Sequence, residues 1–313
     1  MDDIKYSMKK TDSAIQQEGD VIAYFGDRVE IETPTGDIIV CYLRRSGETP
    51  VAGDHVLWQQ GEDNKGIITE IRDRRTLLVK PDQRGKLKPI AANIDAIIIV
   101  MAPPPVFAEY LIDRYIVAAE LLHIKPILVL NKIDLLKNNN REAALQRLAP
   151  YQKIGYPVIS ACTLNPGGLH EVLSQLQHTT GVLVGPSGVG KSSMINNILK
   201  SHAIKVGALS ASGAGKHTTT TVRLYHLPAG GNLIDSPGIR DFNLWPVSKQ
   251  EVFQGFIELH PYAGKCRFRD CQHMAEPDCA IEQAAQRGEI SRSRLDNYKQ
   301  LMRESENNNK SKN

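Results

Sequence analysis

The apolar residues of this 313-residue chain change their spacing twice, and the changes mark out three regions. Between Gly19 and Lys80 they fall in short runs rich in Val, Ile, Tyr and Thr, at 21–25, 29–33, 37–43, 55–59, 66–71 and 77–79. Turn residues separate the runs at 34–36, 46–48 and 52–54. Five or six short strands in so small a span predict a closed β-barrel of the OB-fold type. From Ile94 the texture becomes continuous apolar runs alternating with amphipathic ones. Strands are expected at 96–100, 126–130, 157–159, 182–184, 222–227 and 232–234, and helices at 108–122, 141–148, 169–177 and 192–199. Such alternation predicts an α/β domain, a mostly parallel sheet covered on both faces. Beyond Trp245 the chain turns polar, then offers a helix at 289–304 with Leu295, Tyr298, Leu301 and Met302 on one side. Residues 1–18 and 306–313 are polar and without period, so no fold is expected of them. The domains are therefore placed at 1–83 (tail and barrel), 84–244 (α/β) and 245–313 (small C-terminal module).

Composition adds bounds rather than identity. With 41% hydrophobic and 23% charged residues the chain can bury a sizeable core. A net charge of +3 does not by itself imply a polyanion partner. Residues 72–88 are a local exception, with seven basic residues against Asp73 and Asp82, and are read as a candidate phosphate-contacting strip or a solvated linker. The first twenty residues lack the apolar stretch of a secretory signal, and the longest apolar run, 96–108, holds three prolines and is too short for a bilayer. A cytoplasmic protein without a membrane anchor is expected, and a monomer.

The chemistry is carried by loops placed at strand ends. Gly185, Pro186, Ser187, Gly188, Val189, Gly190, Lys191 and Ser192 fit G-x-x-x-x-G-K-[ST] between an apolar strand and a helix. Backbone N–H groups in the stretch bounded by Pro186 and Ser193 would cradle phosphates, Lys191 would meet the β- and γ-phosphates, and the Ser192 hydroxyl would ligate Mg²⁺. Asn131, Lys132, Ile133 and Asp134 follow the strand at 126–130 and spell N-K-x-D. There a carboxylate at Asp134 can accept from both the ring N1–H and the exocyclic amine of guanine. Asn131 suits the base edge or the loop, and the Lys132 stem can cover the ring. Ser160, Ala161 and Cys162 fit S-A-x, whose backbone N–H would reach the guanine oxygen. Asp235 and Gly238 close a D-x-x-G, the aspartate acting through Mg²⁺ and water and the glycine amide on the γ-phosphate. Before it, His217 precedes a run of threonines at 218–221, of which Thr219 or Thr220 would ligate Mg²⁺.

These five motifs are those of guanine-nucleotide hydrolases, but the base-reading pair precedes the phosphate loop, so the domain is circularly permuted. With the barrel before it and cysteines after it, the chain resembles the small-ribosomal-subunit biogenesis GTPase family, RsgA. That resemblance implies GTP hydrolysis stimulated by the small ribosomal subunit, late action in its maturation, and binding to ribosomal RNA. The residue after D-x-x-G is Ile239, which cannot orient water, so His217 is the catalytic candidate, as the resemblance also suggests. Cys266, Cys271, His273 and Cys279 form C-x₄-C-x-H-x₅-C, a closed tetrahedral set for one structural Zn²⁺, with His260 a weaker nitrogen alternative. Cys41 and Cys162 are expected to be packing or loop residues. Since 235–238 runs through 239–244 into the cysteine module, GTP is expected to change that module's orientation relative to the barrel. The alternative is an RNA-docking or ribosome-docking protein whose nucleotide sets affinity and whose hydrolysis is incidental.

Overall fold

The computed structural model describes residues 15–26, 28–43, 48–61, 65–82, 86–103, 108–136, 138–201, 222–235 and 244–310. His217, Thr219, Thr220 and Gly238 lie outside them.

The barrel strands are β1 (Gln17–Tyr24), β2 (Arg28–Glu32), β3 (Ile38–Leu43), β4 (His55–Gln60) and β5 (Gly66–Ile71). They pair in the order β1-β2-β3-β5-β4, and β1 returns to β4, which closes the ring with β3 and β5 parallel. Alternate residues point inward, as β2 shows with Val29 and Ile31 buried between half-exposed glutamates. The interior is filled by these two with Val21, Cys41, Val56, Trp58 and Ile68. A hairpin, β6 (Leu77–Pro81) and β7 (Leu87–Ala92), follows and is fastened back by Ala92 N–H to Ala52 O (3.0 Å) and Asn93 Nδ2 to Gly53 O (2.7 Å). Strands β6 and β7 pair antiparallel across residue 83, so a boundary placed after 83 falls between two paired strands.

The α/β domain comprises β8 (Ala96–Met101), α1 (Glu109–Leu121), β9 (Lys125–Leu130), α2 (Asn138–Ile154), β10 (Val158–Ser160), α3 (His170–Gln175), β11 (Thr180–Val184), α4 (Lys191–Ser201), β12 (Arg223–His226) and β13 (Asn232–Asp235). Strand order is β10-β9-β8-β11-β13-β12, parallel except for β12. All six residues of β8 are buried because helices cover both faces, as a central parallel strand requires. Ile97, Ile99 and Met101 face α1 and α2, while Ile98 and Val100 face α3 and α4. Each fully buried isoleucine contributes about 2 kcal/mol of transfer free energy.

Strand β12 also pairs with β1 at Ala23 and Arg223, which joins barrel and α/β domain into one eleven-stranded sheet among the described residues. Arg223 donates to Glu30 (2.6 Å), and His226 meets Glu32, at the same joint.

The C-terminal module holds α5 (Lys249–Gln254), α6 (Ala280–Gln286) and α7 (Arg292–Lys310). Helix α5 starts at a capping box, the Ser248 side chain meeting the Glu251 amide and Glu251 reaching back. The module shares a core with the sheet: Val252, Phe256, Leu295, Tyr298 and Leu301 join the cluster of Ile97, Ile112 and Ile116. Inside that contact Arg294, 1% exposed, donates through Nη1 to Asp113 of α1 (2.7 Å) and through Nε and Nη2 to Glu258 (2.7 and 2.9 Å). Asp113 also accepts from Tyr151 Oη (2.7 Å) and Asn297 Nδ2 (2.6 Å). Burial pushes the Asp113 carboxyl above its ordinary range even with Arg294 beside it. The module and the α/β domain are thus joined by a shared core and a buried ion-pair cluster.

Candidate nucleotide site and metal cluster

The loops singled out by their sequence converge at one end of the sheet. Asn131 follows β9, Ser160 ends β10, Gly185 follows β11 and Asp235 ends β13. Since these strands are parallel and neighbouring, all four loops leave from carboxyl ends, the edge where open α/β sheets bind ligands.

Two side chains tie the N-K-x-D turn to the phosphate loop. Asn131, buried, donates through Nδ2 to Val189 O (2.9 Å) and accepts from Thr163 Oγ1 at its Oδ1 (3.0 Å). Lys132 adopts a left-handed backbone (φ 59°), which carries its ammonium to Gly188 O (2.6 Å). The fit explains Gly190: its φ is 99°, and a Cβ there would overlap the Asn131 amide. At Gly185, φ 138°, a Cβ would collide with Val100 O of β8. Lys191 opens α4 and is buried, its ammonium donating to Gly185 O (2.6 Å) and Pro186 O (2.8 Å). Ser192 and Ser193 are exposed in the first turn of α4. The Ser192 hydroxyl in the first turn of α4 and the Asp235 carboxylate at the end of β13 are oxygen donors of the kind a hard cation such as Mg²⁺ takes.

Asp134 is exposed on the 3₁₀ turn Ile133–Leu135, open to a ligand on one side. On the other, Cys162 Sγ donates to its Oδ1 (3.1 Å). Cys162 is the packed loop residue expected of it, 2% exposed, and its thiol in addition orients the carboxylate. Thr163, its hydroxyl on Asn131 and its carbonyl held by Asn197 Nδ2 (3.0 Å), braces the same turn from outside every motif. The Ala161 amide donates to Leu130 O (2.8 Å), continuing the β9–β10 pairing rather than facing outward.

Among the described residues of the basic strip, three arginines have acidic partners. Arg74 pairs with buried Asp54 (2.7 Å), Arg75 with Asp95 (2.6 Å), and Arg72 with Glu70 (3.2 Å).

In the C-terminal module Cys266, Cys271, His273 and Cys279 bring their ligand atoms within 4.8 Å of one another. Nδ1 of His273 lies 3.4 Å from Cys266 Sγ and 3.5 Å from the other two sulfurs, and Cys266 and Cys279 sulfurs are 3.9 Å apart. Bond lengths of about 2.3 Å to sulfur and 2.0 Å to nitrogen in a tetrahedron give edges of about 3.8 and 3.5 Å, so the residues fit a metal ion of zinc's size. Burial pushes the Cys271 thiol up to about 12 and lowers His273, which keeps the imidazole neutral as a ligand; a bound cation would turn the thiols to thiolates. His260 stands apart, at Phe253 O (3.2 Å). Between the ligands, Glu276 accepts from the amides of Gln272 (2.9 Å), Met274 (2.8 Å) and Ala275 (3.0 Å). Burial opposes its charge, and these donors outweigh it, holding the carboxyl at about 2.

Fold and site together define a circularly permuted phosphate-loop GTPase carrying an OB-type barrel and a Cys₃His module. Comparison with known proteins agrees over nearly the whole length. The family described as RsgA GTPase matches residues 71–245. "Small ribosomal subunit biogenesis GTPase RsgA" from Chromohalobacter salexigens is 48% identical over 301 residues, covering 95% of this chain and 88% of the relative. Its counterpart from Hahella chejuensis is 46% identical over 288 residues, covering 90% and 83%. Among solved structures, YjeQ from Thermotoga maritima superposes with a TM-score of 0.77 at 29% identity, covering 93% of this chain and 99% of that one. YloQ, described as a circularly permuted GTPase, gives 0.76 at 27%, covering 96% and 99%. The chain belongs to the RsgA GTPase family.

Proposed function

We propose that the chain hydrolyses GTP during late maturation of the small ribosomal subunit, is stimulated by that subunit, and binds its RNA from the cytoplasm as a monomer. No helix among the described residues is long and apolar enough to cross a membrane. The observation that carries the reading is the direct fastening of a guanine-type turn to a phosphate loop, through Asn131 to Val189 and Lys132 to Gly188, in a chain of this family. Asp134, oriented by Cys162, accepts from the two guanine N–H groups. Lys191 trades loop carbonyls for the β- and γ-phosphates, and the backbone N–H groups of 187–193, between Pro186 and the first turn of α4, cradle them. Ser192, with Thr219 or Thr220 and with Asp235 through water, would hold Mg²⁺, which neutralises charge developing on the phosphates. The Gly238 amide meets the γ-phosphate, and His217 orients the attacking water. The Cys₃His set holds one structural Zn²⁺, standing in for a core that residues 261–278 cannot build.

The test pairs two variants with purified small subunits. Lys191→Ala should abolish stimulated turnover, and His217→Ala should lower it while leaving GTP affinity intact. Unchanged stimulated turnover in His217→Ala would remove that residue from the chemistry. Comparable subunit affinity with GDP and with a non-hydrolysable GTP analogue would remove the nucleotide as the switch.

A further inference from the structure

Cys266 and Cys271 bracket four residues, Arg267, Phe268, Arg269 and Asp270, all exposed. Phe268 leaves 41% of its surface in water although an apolar core lies just beneath the cluster. Its ring is held in place: the Arg267 guanidinium lies 5.4 Å from the ring centroid and is fixed in turn by Asp278 (2.8 Å). On either side Lys265 and Arg269 are exposed, and neither has an ion-pair partner among the described residues. Only Asp270 opposes them within 265–270. Next to Phe268 opens a recess of about 340 Å³, whose walls include Arg269, Gln250, Gln272 and Met302. Its size is at the lower end of small-molecule sites, about 300 Å³.

The chemistry selects a partner. An exposed ring offers a stacking face, the Gln250 carboxamide can donate and accept as base edges require, Gln272 offers its Nε2 donors while its Oε1 accepts from Lys249 Nζ (2.6 Å), and Lys265 and Arg269 suit phosphates on either side. Paired RNA keeps its bases stacked and out of reach, whereas an unpaired base can be splayed onto a ring. We propose that residues 265–272 form a metal-braced knuckle that captures one unpaired RNA base against Phe268, with the neighbouring phosphates on Lys265 and Arg269. The inference deepens the reading of this chain as a small-subunit maturation GTPase, and rests on it for the source of the RNA. It also gives the metal a purpose beyond folding, because ligands at both ends of the loop present the ring at little ordering cost.

Fluorescence anisotropy of zinc-loaded full-length protein with a labelled single-stranded oligouridine, and with a matched RNA duplex, tests the proposal. The single strand should bind more tightly than the duplex. Phe268→Ala should weaken single-strand binding about tenfold and Phe268→Trp should retain it. Lys265→Glu and Arg269→Glu should each weaken binding and reduce the salt slope by about 1. Zinc content and melting temperature check the fold, and if Phe268→Ala loses zinc, Phe268→Leu replaces it, keeping bulk without a ring. Binding by Phe268→Ala within about twofold of the parent would overturn the proposal, as would equal affinity for duplex, or an equal Phe268 effect on a labelled polyglutamate, which would make the partner an acidic protein. GTP turnover of the unmodified protein in the same preparation reports separately on the enzymatic reading.

Discussion

The buried contact between α1 and α7 makes a sharp prediction about stability. Replacing Arg294 by Met keeps most of the apolar volume and the contact with Phe256 but removes three charged hydrogen bonds, leaving Asp113 fully buried with only Tyr151 and Asn297 as donors. Removing one member of a buried pair costs about 3–5 kcal/mol. At about 2–4 °C per kcal/mol for a unit of this size, the melting temperature should fall on the order of 10 °C. The pH dependence follows from the direction of the Asp113 shift. Its carboxyl is raised in the folded state, so it contributes stability below its unfolded value and loses it as pH rises through the folded one. Without Arg294 the folded value climbs further, so the deficit of the variant should be small near pH 5 and large near pH 8. Adding Asp113→Leu and Glu258→Met removes the stranded charges and should recover most of the loss. Differential scanning calorimetry across that pH range decides the matter. A melting temperature for Arg294→Met within about 2 °C of the parent at pH 8, or a deficit larger at pH 5, would refute the reasoning.

Further outcomes concern the nucleotide and metal sites. Asp134→Asn should shift preference from GTP to XTP by about 100-fold or more, because the carboxamide offers a donor where xanthine offers an acceptor; equilibrium binding of the two nucleotides reads it. Cys162→Ala should weaken GTP binding about 2- to 10-fold with rescue by Cys162→Ser, the thiol being worth one hydrogen bond. Chelation, or Cys271→Ser, should release one zinc per chain and lower the melting temperature, as metal analysis and calorimetry would show; a chain that melts unchanged without metal would contradict a structural role.

Much of this architecture is legible in the spacing of apolar residues, because each element buries a face whose period shows along the chain. The six expected strands from 21 to 79 and the alternation from 96 to 234 correspond to observed elements with ends shifted by a few residues. Strand β7 escapes such a reading, since Lys88 and Pro89 look like linker; as one arm of a hairpin its exposed positions tolerate them. Helices α5 and α6, six and seven residues long, are too short to display a period. The Asp113, Glu258 and Arg294 cluster is invisible in sequence because Arg294 stands 36 and 181 residues from its partners and each alone looks like a surface charge. The contact of the C-terminal module with the α/β domain is hidden for the same reason, the apolar face of α7 being visible while the partner that covers it is not. At the nucleotide site Asn131, Ser160, Gly185 and Asp235 stand at the carboxyl ends of one parallel sheet, but Cys162 and Thr163 act through side chains that no four-letter pattern encodes.

If a permuted guanine site drives hydrolysis under the control of the small ribosomal subunit, nucleotide and subunit must both be required for fast turnover. Phosphate release from GTP and from ATP, each with and without purified small subunits, tests this most directly. Release should be slow from GTP alone, rise strongly when subunits are added, and remain negligible from ATP in both cases. Equal release from the two nucleotides, or a GTP rate indifferent to subunits, would contradict the account.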